Sequence, residues 1–311
     1  MSTTILVLSV DEAERLEAAL PAAMAQPDAE VVVIDNACAD ATGEVAQRHG
    51  ARVVRLETRL PYAAAMNAGL RATGGDAVLL LNADCVLDPC FLAFARPQLD
   101  EAEVGSVAPL LLRATGLAPA DRLDEVDAAG MTLDRRRKNG LAGHGEPPAP
   151  WRAAGGEAFG PDGACALYRR EVLDAVGPEV FDEDLALWAT DADIAWRARA
   201  LGWRCAFEPR AFAWHVRFYS PTTRPSVPAE HRRLQFRNRL LMILKNDRPW
   251  PFLRDLPLIA AWELVSLGHV LLRERHLLGA YREAWALRRA MRAKRRRDAA
   301  AHVPFGLRPR G

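Results

Sequence analysis

Several kinds of sequence signal are scarce in this chain, and each absence removes a class of protein. The 311 residues contain five scattered cysteines and no CxxC pair, which argues against a zinc site or a disulfide framework and fits a reducing cytosol. Aromatic residues make up only 7% of the chain and are few near its basic stretches. No nucleic-acid module is visible, so we expect no nucleic-acid partner.

Long apolar runs are also missing. The longest, residues 256–272, falls short of the roughly 20 residues that span a bilayer, and it contains Pro257, Glu263 and His269. Its polar residues fall near one helical face. This pattern favours an interfacial amphipathic helix or a helix packed on the rest of the protein.

The charges are distributed unevenly, although the net charge is only +1. Residues 1–216 carry 20 Lys/Arg and 33 Asp/Glu, whereas residues 217–311 carry 21 and 7. Residues 288–297 form a basic run, for which a solvated helix face is the simplest interpretation. The sharper hypothesis is that the C-terminal region meets an anionic membrane surface, with the protein peripheral at the inner face of the cytoplasmic membrane.

Short apolar runs alternate with helical patterns over the first hundred residues. We expect strands at residues 5–8, 31–34, 52–56 and 78–81, with helices between them. This order predicts an α/β fold with a mostly parallel sheet flanked by helices. Residues 114–160 are predicted to be a long, weakly patterned excursion. We divide the chain into a catalytic domain at 1–227 and a basic helical extension at 228–311.

Polar side chains follow three of these strands where the strands end. They are Ser9 and Asp11, Asp35, and the pair Asn82 and Asp84. The carboxyl ends of parallel strands share one edge of the sheet, where α/β proteins bind ligands. A carboxylate at Asp84 can hold a divalent metal against a diphosphate. An ordinary strand-end turn remains the alternative.

A second acidic cluster lies about one hundred residues later. Asp191 falls at a predicted helix start, which favours the ionised form and makes Asp191 a candidate proton acceptor. Helix capping is the alternative. His215 follows a short strand predicted at residues 203–207, and an imidazole beside a metal-binding carboxylate would complete a site. A packing role for His215 stays open.

In this order the segments resemble family 2 glycosyltransferases, which have the GT-A fold, and within them the rhamnosyltransferase-like branch that acts on bacterial surface polysaccharides. The resemblance covers roughly residues 3–246. The segments that carry it are residues 31–40 (VVVIDNACAD), 64–70 (AAMNAGL), 79–84 (LLLNAD), 163–177 (GACALYRREVLDAVG) and 191–203 (DADIAWRARALGW).

The resemblance implies roles for single residues. Asp35 matches the residue that meets the nucleobase or ribose, and Ser9 and Asp11 lie in the loop around the base. Asn67 matches an asparagine beside the diphosphate. The remaining matches are Asn82 and Asp84 in a DXD-like motif, Asp191 as catalytic base, His215 as a second metal ligand and Arg237 as a donor contact.

The implied reaction is an inverting transfer of a sugar, possibly rhamnose, to a hydroxyl of a glycolipid or polysaccharide acceptor. The donor would be a dTDP- or UDP-linked sugar, and Mg²⁺ or Mn²⁺ would be the cofactor. Two residues depart from the family pattern: Val10 stands where a stacking tyrosine is common, and Thr190 replaces a glutamate.

Two other functions are open. A sugar nucleotidyltransferase would need a glycine-rich loop after the first strand, and residues 9–12 contain no glycine. A nucleotide-binding protein of the same fold without turnover is the other alternative, which Val10 and Thr190 favour.

Overall fold

The computed structural model describes residues 1–219 and 226–299. Four strands form a parallel half-sheet in the spatial order β4-β1-β2-β3. They are β1 (Thr3–Ser9), β2 (Ala29–Asp35), β3 (Arg52–Arg55) and β4 (Ala77–Asn82), and they alternate with α1 (Ala13–Met24), α2 (Thr42–Arg48) and α3 (Tyr62–Arg71). The predicted α/β architecture is confirmed, because these strands are apolar on both sheet faces and need helices to cover them.

The second half of the sheet mixes strand directions. It contains β5 (Cys85–Leu87), β6 (Val104–Ala114), β11 (Cys165–Arg169) and β12 (Arg204–His215), with α4 (Phe91–Ala95) and α6 (Arg170–Ala175) beside them. Strand β11 is antiparallel to both β4 and β6, and β12 runs parallel to β6. The end of β12 therefore lies near the end of β4, where β5 pairs with it.

The excursion predicted at residues 114–160 is ordered and partly β-structured. It contains β7 (Arg122–Ala128), β8 (Met131–Leu133), β9 (Asn139–Leu141), α5 (Pro148–Ala153) and β10 (Gly156–Ala158). Strands β7 and β10 extend the main sheet, and β8 pairs with β9 as a separate hairpin. Strand β7 pairs with the preceding β6, and β8 pairs with the following β9, whereas β10 pairs with the distant β12.

Two predicted boundaries near the site were wrong. The helix expected from about residue 185 begins only at α7 (Thr190–Ala200), because Ala186, Trp188 and Ala189 have positive φ angles that no α-helix allows. The strand expected at residues 203–207 continues as β12 to His215, past a register shift between Glu208 and Phe212.

Three helices complete the described chain: α8 (Ala229–Asn246), α9 (Pro249–Leu272) and α10 (Leu278–Ala299). Leu241 and Met242 of α8 and Met291 of α10 are buried in one cluster with Trp196 of α7. Helices α8 and α10 therefore share a core with the α/β body, so the extension expected at 228–311 is packed against it through these helices.

Buried ion pairs join the basic helices to the acidic body. Lys245 of α8 lies 2.6 Å from Asp182 and 2.9 Å from Asp193, and all three side chains are buried. Lys294, within the basic run of α10, contacts Glu179, Asp182 and Asp184. Part of the predicted charge complementarity is thus satisfied inside the protein.

A second buried network ties the excursion to α9. The guanidinium of Arg137 is fully buried, and it lies 2.7 Å from Asp247 and 2.9 Å from Asp255. Arg135 and Arg254 also contact Asp255. Because the polar residues of α9 point inward to these partners, its apolar residues are left outside.

Helix α9 is exposed to an unusual degree for its composition. Among the described residues it is the one helix whose length and mean hydropathy of 1.4 would allow it to cross a membrane, and only 17% of that apolar window is buried. Leu264 is 71% exposed and Leu272 is 81% exposed. Large exposed apolar patches mark interaction surfaces.

Replacing Arg137 tests how much the extension depends on the buried network. Arg137→Met leaves Asp247 without its guanidinium partner, and removing one member of a buried pair costs about 3–5 kcal/mol. We expect a matching drop in the free energy of unfolding, measured by urea titration. Arg136→Met changes an exposed neighbour, so its effect should stay within about 0.5 kcal/mol. Equal effects of the two substitutions would contradict this assignment.

Candidate functional site

A cavity of about 300 Å³ lies where β1, β4 and β12 end and the loop before α7 closes over them. Most of the polar groups that line it come from segments far apart in sequence. Its lining includes Val10, Glu12, Tyr62, Asn82, Asp84, Asp162, Gly163, Trp188, Asp191, His215 and Arg217. Four predicted site residues, Asn82, Asp84, Asp191 and His215, are therefore brought together.

His215 is held between two carboxylates at the end of β12. Its Nδ1 lies 2.8 Å from Asp127 Oδ2, and its Nε2 lies 3.4 Å from Asp84 Oδ1. Val216 N donates to the backbone oxygen of Asp84 over 3.0 Å, which fixes the two strand ends together. The contact with Asp127 sets the orientation of the imidazole ring.

Arg217 extends the network to the other side of the cavity. Its Nε donates to Asp127 Oδ1 over 2.7 Å, and its second terminal nitrogen donates to Asp162 Oδ2 over 2.9 Å. Asp162 lies just before Gly163, in the turn that leads into β11. One buried carboxylate, Asp127, thereby orients both His215 and Arg217.

These contacts shift the titration of the groups involved. Burial acts to raise the pKa of Asp127, but hydrogen bonds from His215 and the charge of Arg217 outweigh it and lower this pKa to about 2. Burial acts to lower the pKa of His215, but the hydrogen bond to Asp127 and the nearby carboxylate of Asp84 raise it to about 10. His215 is therefore a cation at neutral pH when no other cation lies beside Asp84.

Asp191 differs from the other carboxylates because no cation contacts it directly. Its Oδ2 accepts from Gly163 N over 3.2 Å, and its Oδ1 accepts from Ala192 N over 2.8 Å. A Cβ at Gly163 would lie 3.3 Å from Asp191 Oδ2, so glycine permits this close approach. Burial, followed by the charge of Asp162, raises the pKa of Asp191 to about 6. Asp191 lies in the first turn of α7, although this helix begins later than predicted, and burial shifts the pKa of Asp191 opposite to the expected helix effect.

The loop that precedes Asp191 is held in a left-handed backbone conformation. Trp188 has a φ of +71°, a conformation that costs of order 1–3 kcal/mol outside glycine. Asn238 Nδ2 lies within 3.0 Å of the backbone oxygens of Leu185, Leu187 and Trp188. Arg237 donates to the oxygen of Asp184 over 2.9 Å. Arg237 thus lies behind the cavity wall and positions the loop, and donor contact by Arg237 stays a prediction.

Trp188 forms an aromatic wall with two other rings. Its ring centroid is 5.9 Å from that of Tyr219 and 5.9 Å from that of His231. The indole Nε1 of Trp188 and the Nδ1 of His231 are buried and have no hydrogen-bond partner among the described residues. A buried N–H without a partner at a cavity wall is available to a ligand.

Besides Arg237, four other predicted donor contacts do not line this cavity. Ser9 is buried against Thr42, with 3.0 Å between their hydroxyl oxygens. Asp35 is buried and contacts Arg55 and Cys38 N. The side-chain Nδ2 of Asn67 donates to the backbone oxygen of Phe181, and its Oδ1 accepts from the backbone nitrogen of Phe181. These polar groups are used within the fold, so their roles at the donor stay predictions.

The fourth residue, Asp11, lies with Cys38 and Asp40 in a cluster of possible metal ligands, which is the one such cluster found among the described residues. Its carboxylate accepts from Ala39 N and pairs with Arg59, while Asp40 accepts from Ala13 N. These oxygens already stabilise the loop after β1, so the cluster carries no metal assignment.

Asp84 and His215 fit a divalent cation better. Asp84 Oδ1 is buried and has no hydrogen-bond partner among the described residues within normal geometry, and the imidazole Nε2 faces it across 3.4 Å. The opposite imidazole nitrogen is fixed by Asp127, an arrangement that typically orients a metal-binding histidine. A carboxylate oxygen suits Mg²⁺ or Mn²⁺, whereas an imidazole nitrogen is a softer ligand and favours the transition-metal ion Mn²⁺ of the two.

The sequence interpretation missed Asp127, Asp162, Arg217 and Trp188. One signal was available for Arg217, since it follows His215 by two residues and alternate residues of an extended chain share a face. Asp127 gave no such signal, because it lies in the weakly patterned excursion and its partner His215 is 88 residues away in sequence.

Sequence comparison finds relatives among glycosyltransferases. The family model described as "Glycosyltransferase like family 2" matches residues 2–239. The poly-beta-1,6-N-acetyl-D-glucosamine synthase of Staphylococcus epidermidis is 22% identical over 222 residues, which is 68% of this chain and 49% of that protein. An uncharacterized glycosyltransferase of Mycobacterium tuberculosis is 36% identical over 100 residues, 32% of this chain and 44% of that protein. The chain spans about half the length of these curated relatives.

Solved structures share the fold at low identity. A mannosyltransferase from Pyrobaculum calidifontis, in complex with GDP-Man and Mn²⁺, has a TM-score of 0.57 and 19% identity, covering 96% of this chain and 85% of its own. S. aureus TarS 1-349, in complex with UDP-GlcNAc, has a TM-score of 0.60 and 16% identity, covering 97% and 89%. These likenesses show the GT-A fold. Because the family model covers well over half of the chain, the chain belongs to glycosyltransferase family 2.

Proposed function

We propose that this protein is an inverting glycosyltransferase that moves a sugar from a nucleoside diphosphate to an acceptor hydroxyl, with Asp191 as general base. The observation that carries this proposal is a single cavity in which an unpaired carboxylate, Asp191, stands apart from the network of Asp84, Asp127, Asp162, His215 and Arg217. One carboxylate is free to take a proton, and the other groups form a charged cradle.

Proton transfer determines what Asp191 does. An acceptor hydroxyl becomes a nucleophile when its proton moves to a carboxylate within hydrogen-bond reach, and a base is most effective when its pKa is near the working pH. A pKa of about 6 meets that condition. The hydroxyl then attacks the anomeric carbon opposite the leaving diphosphate, so configuration is inverted in one displacement and no carboxylate acts as nucleophile.

The charged cradle suits a diphosphate leaving group. When bound at Asp84 and His215, Mg²⁺ or Mn²⁺ would neutralise the negative charge that develops on the diphosphate. Arg217 is held by two carboxylates and contributes fixed positive charge at the same wall. The solved relatives that contain Mn²⁺ with GDP-Man or with UDP and GalNAc support this choice of donor and cation class.

Val10 and Trp188 bear on the two substrates. Val10 lines the cavity and is 40% exposed, so it offers an aliphatic contact where a ring would stack on a base. Trp188 presents a broad aromatic surface with a free indole N–H, which suits the apolar face and hydroxyls of an acceptor sugar. Rhamnose as the donor sugar, a dTDP or UDP nucleotide, and a glycolipid or polysaccharide acceptor rest on the resemblance.

We place the protein at the inner face of the cytoplasmic membrane, as a peripheral protein. The exposed apolar residues of α9 support this placement, since such a face is stable at a lipid interface. The exposed Arg292 and Arg296 of α10 would add attraction to anionic headgroups. Residues 1–227 would carry the chemistry, and the helical extension at 228–311 would bind the surface.

Nucleoside diphosphate release tests the proposed activity. The protein is incubated with nucleotide sugars, Mn²⁺ and a membrane-lipid extract as acceptor source, and released diphosphate is quantified. We expect acceptor-dependent release of nucleoside diphosphate. Release of pyrophosphate instead would identify a nucleotidyltransferase, and donor binding without release would identify a binding protein.

Asp191→Asn separates catalysis from folding. Loss of the base should lower diphosphate release about 10²–10⁴-fold. Stability should move the other way: a pKa raised from 3.8 to about 6 means that the folded state pays on the order of 3 kcal/mol to keep Asp191 ionised. This cost is fully present above pH 6 and absent below pH 3.8. The variant should therefore be the more stable protein at pH 8 and gain nothing at pH 3.8.

Asp193→Asn is the matched control for this experiment. Asp193 is buried two residues away, but Arg197 and Lys245 contact its carboxylate and lower its pKa. Its substitution should destabilise the protein at pH 8. Full activity of Asp191→Asn, with release unchanged, would remove Asp191 as the base.

The cation site is tested by binding rather than turnover. In calorimetry with Mn²⁺ and a nucleoside diphosphate, Asp84→Asn should lose most of the Mn²⁺-dependent heat, because it removes the unpartnered carboxylate. Asp11→Asn changes the other acidic cluster and should leave the Mn²⁺-dependent heat unchanged. The reverse result would move the cation to the loop after β1.

A further inference from the structure

A second cavity, of about 440 Å³, lies between α8, α9 and the β8–β9 hairpin, and its lining residues are distant from Asp191 in sequence. Its lining combines basic and apolar side chains. These residues are Lys138, Asn139, Arg232, Gln235, Phe236, Arg239, Trp262, Val265, Ser266, His269, Val270 and Leu277. A wall of this mixed composition suits a ligand that is anionic at one end and apolar at the other.

Positive charge exceeds negative charge around this cavity. Lys138, Arg232 and Arg239 line it, and Arg136 lies over the ring of Trp262, with 4.8 Å between its Cζ and the ring centroid. Three of these four cations are paired with carboxylates: Arg239 with Glu263, Arg232 with Glu274, and Arg136 with Asp134. The cavity therefore keeps net positive charge.

Lys138 and Arg239 are the cations best placed for an anionic ligand. The ammonium nitrogen of Lys138 lies over the ring of Trp262, 5.4 Å from the ring centroid. The Lys138 side chain is otherwise exposed. Arg239 Nε is buried and has no hydrogen-bond partner among the described residues. A buried guanidinium N–H without an acceptor favours an anion at this point.

The cavity is continuous with the exposed apolar face of α9. Val265 lines the cavity and is 64% exposed, and Leu264 beside it is more exposed still. Leu272 lies seven residues, about two helical turns, beyond Val265. Leu258, seven residues before Val265, continues this stripe and is 43% exposed, and the adjoining side of the helix adds the exposed Leu253, Leu256, Leu267 and Leu271.

We propose that this cavity binds the phosphate headgroup of an anionic membrane phospholipid whose acyl chains lie along the exposed face of α9. The proposal rests on the proposed membrane placement and adds a specific headgroup site to it. Charge complementarity selects the headgroup, because the cations of the cavity face a phosphate. The apolar face selects a lipid over a free phosphate, because only a lipid covers the leucines of α9.

A short-chain lipid tests the site without a membrane. The full chain is titrated with dihexanoyl phosphatidylglycerol below its micelle concentration, with dihexanoyl phosphatidylcholine and with glycerol phosphate, and binding is followed by tryptophan fluorescence. We expect phosphatidylglycerol to bind most tightly. Tight binding of glycerol phosphate would identify a free-phosphate site, and equal binding of the two lipids would identify an apolar surface alone. Either result overturns the proposal.

Lys138→Gln and a control variant distinguish lipid binding in the cavity from general electrostatic attraction between the protein and anionic lipid. Each basic residue near an anionic lipid surface contributes about fivefold in affinity, so Lys138→Gln should weaken phosphatidylglycerol binding about fivefold. Arg273→Gln removes the same charge from an exposed position just after α9, outside the cavity, and should leave binding unchanged. Equal losses in the two variants would overturn the headgroup site.

Vesicle co-sedimentation tests the headgroup site and the proposed membrane location separately. Leu264→Gln with Leu272→Gln should reduce binding to phosphatidylcholine vesicles and to mixed phosphatidylcholine and phosphatidylglycerol vesicles alike. Lys138→Gln should reduce binding to the mixed vesicles only. Wild-type protein that stays in the supernatant with both vesicle types would overturn both proposals.

Discussion

The buried carboxylate of Asp127 is the contact on which the rest of the site depends. It accepts hydrogen bonds from His215 and Arg217 at once, and these residues reach Asp84 and Asp162 in turn. A carboxylate without solvent contact is costly unless it is paired and hydrogen-bonded. Its two cationic partners meet that cost, and as a result the ends of β4, β7 and β12 are fixed relative to one another.

Charge balance explains why one acid in the cavity is chemically distinct. Asp84, Asp127 and Asp162 share the two cations His215 and Arg217, whereas Asp191 has only backbone donors and the repulsion of Asp162. The same site thereby contains one carboxylate, Asp127, whose pKa is lowered and another, Asp191, whose pKa is raised to about 6. Such separation of pKa values is what allows neighbouring acids to take different roles.

The C-terminal helices show how internal ion pairs shape an outer surface. Arg137 draws Asp247 and Asp255 into the protein, and Lys245 joins Asp182 to Asp193. Asp255 anchors the inward side of α9, and many leucines of this helix face outward, opposite to the usual arrangement in a soluble helix. The acidic body and the basic helices are complementary to each other before any membrane is considered.

Local pattern alone determined the parallel half of the sheet, the presence of a helix that contains Asp191 and the polar strand ends that include Asp84, because buried strands and helices leave signals within a few residues. Tertiary structure decided the rest. Asp127, Asp162 and Arg217 join the site through pairings between segments distant in sequence, and burial rather than helix position sets the pKa of Asp191. Ser9, Asp35 and Asn67 carry the expected residue types, but their polar groups are taken up within the fold. Neighbours in space, which a single sequence does not display, decide whether a polar side chain faces a ligand or the protein itself.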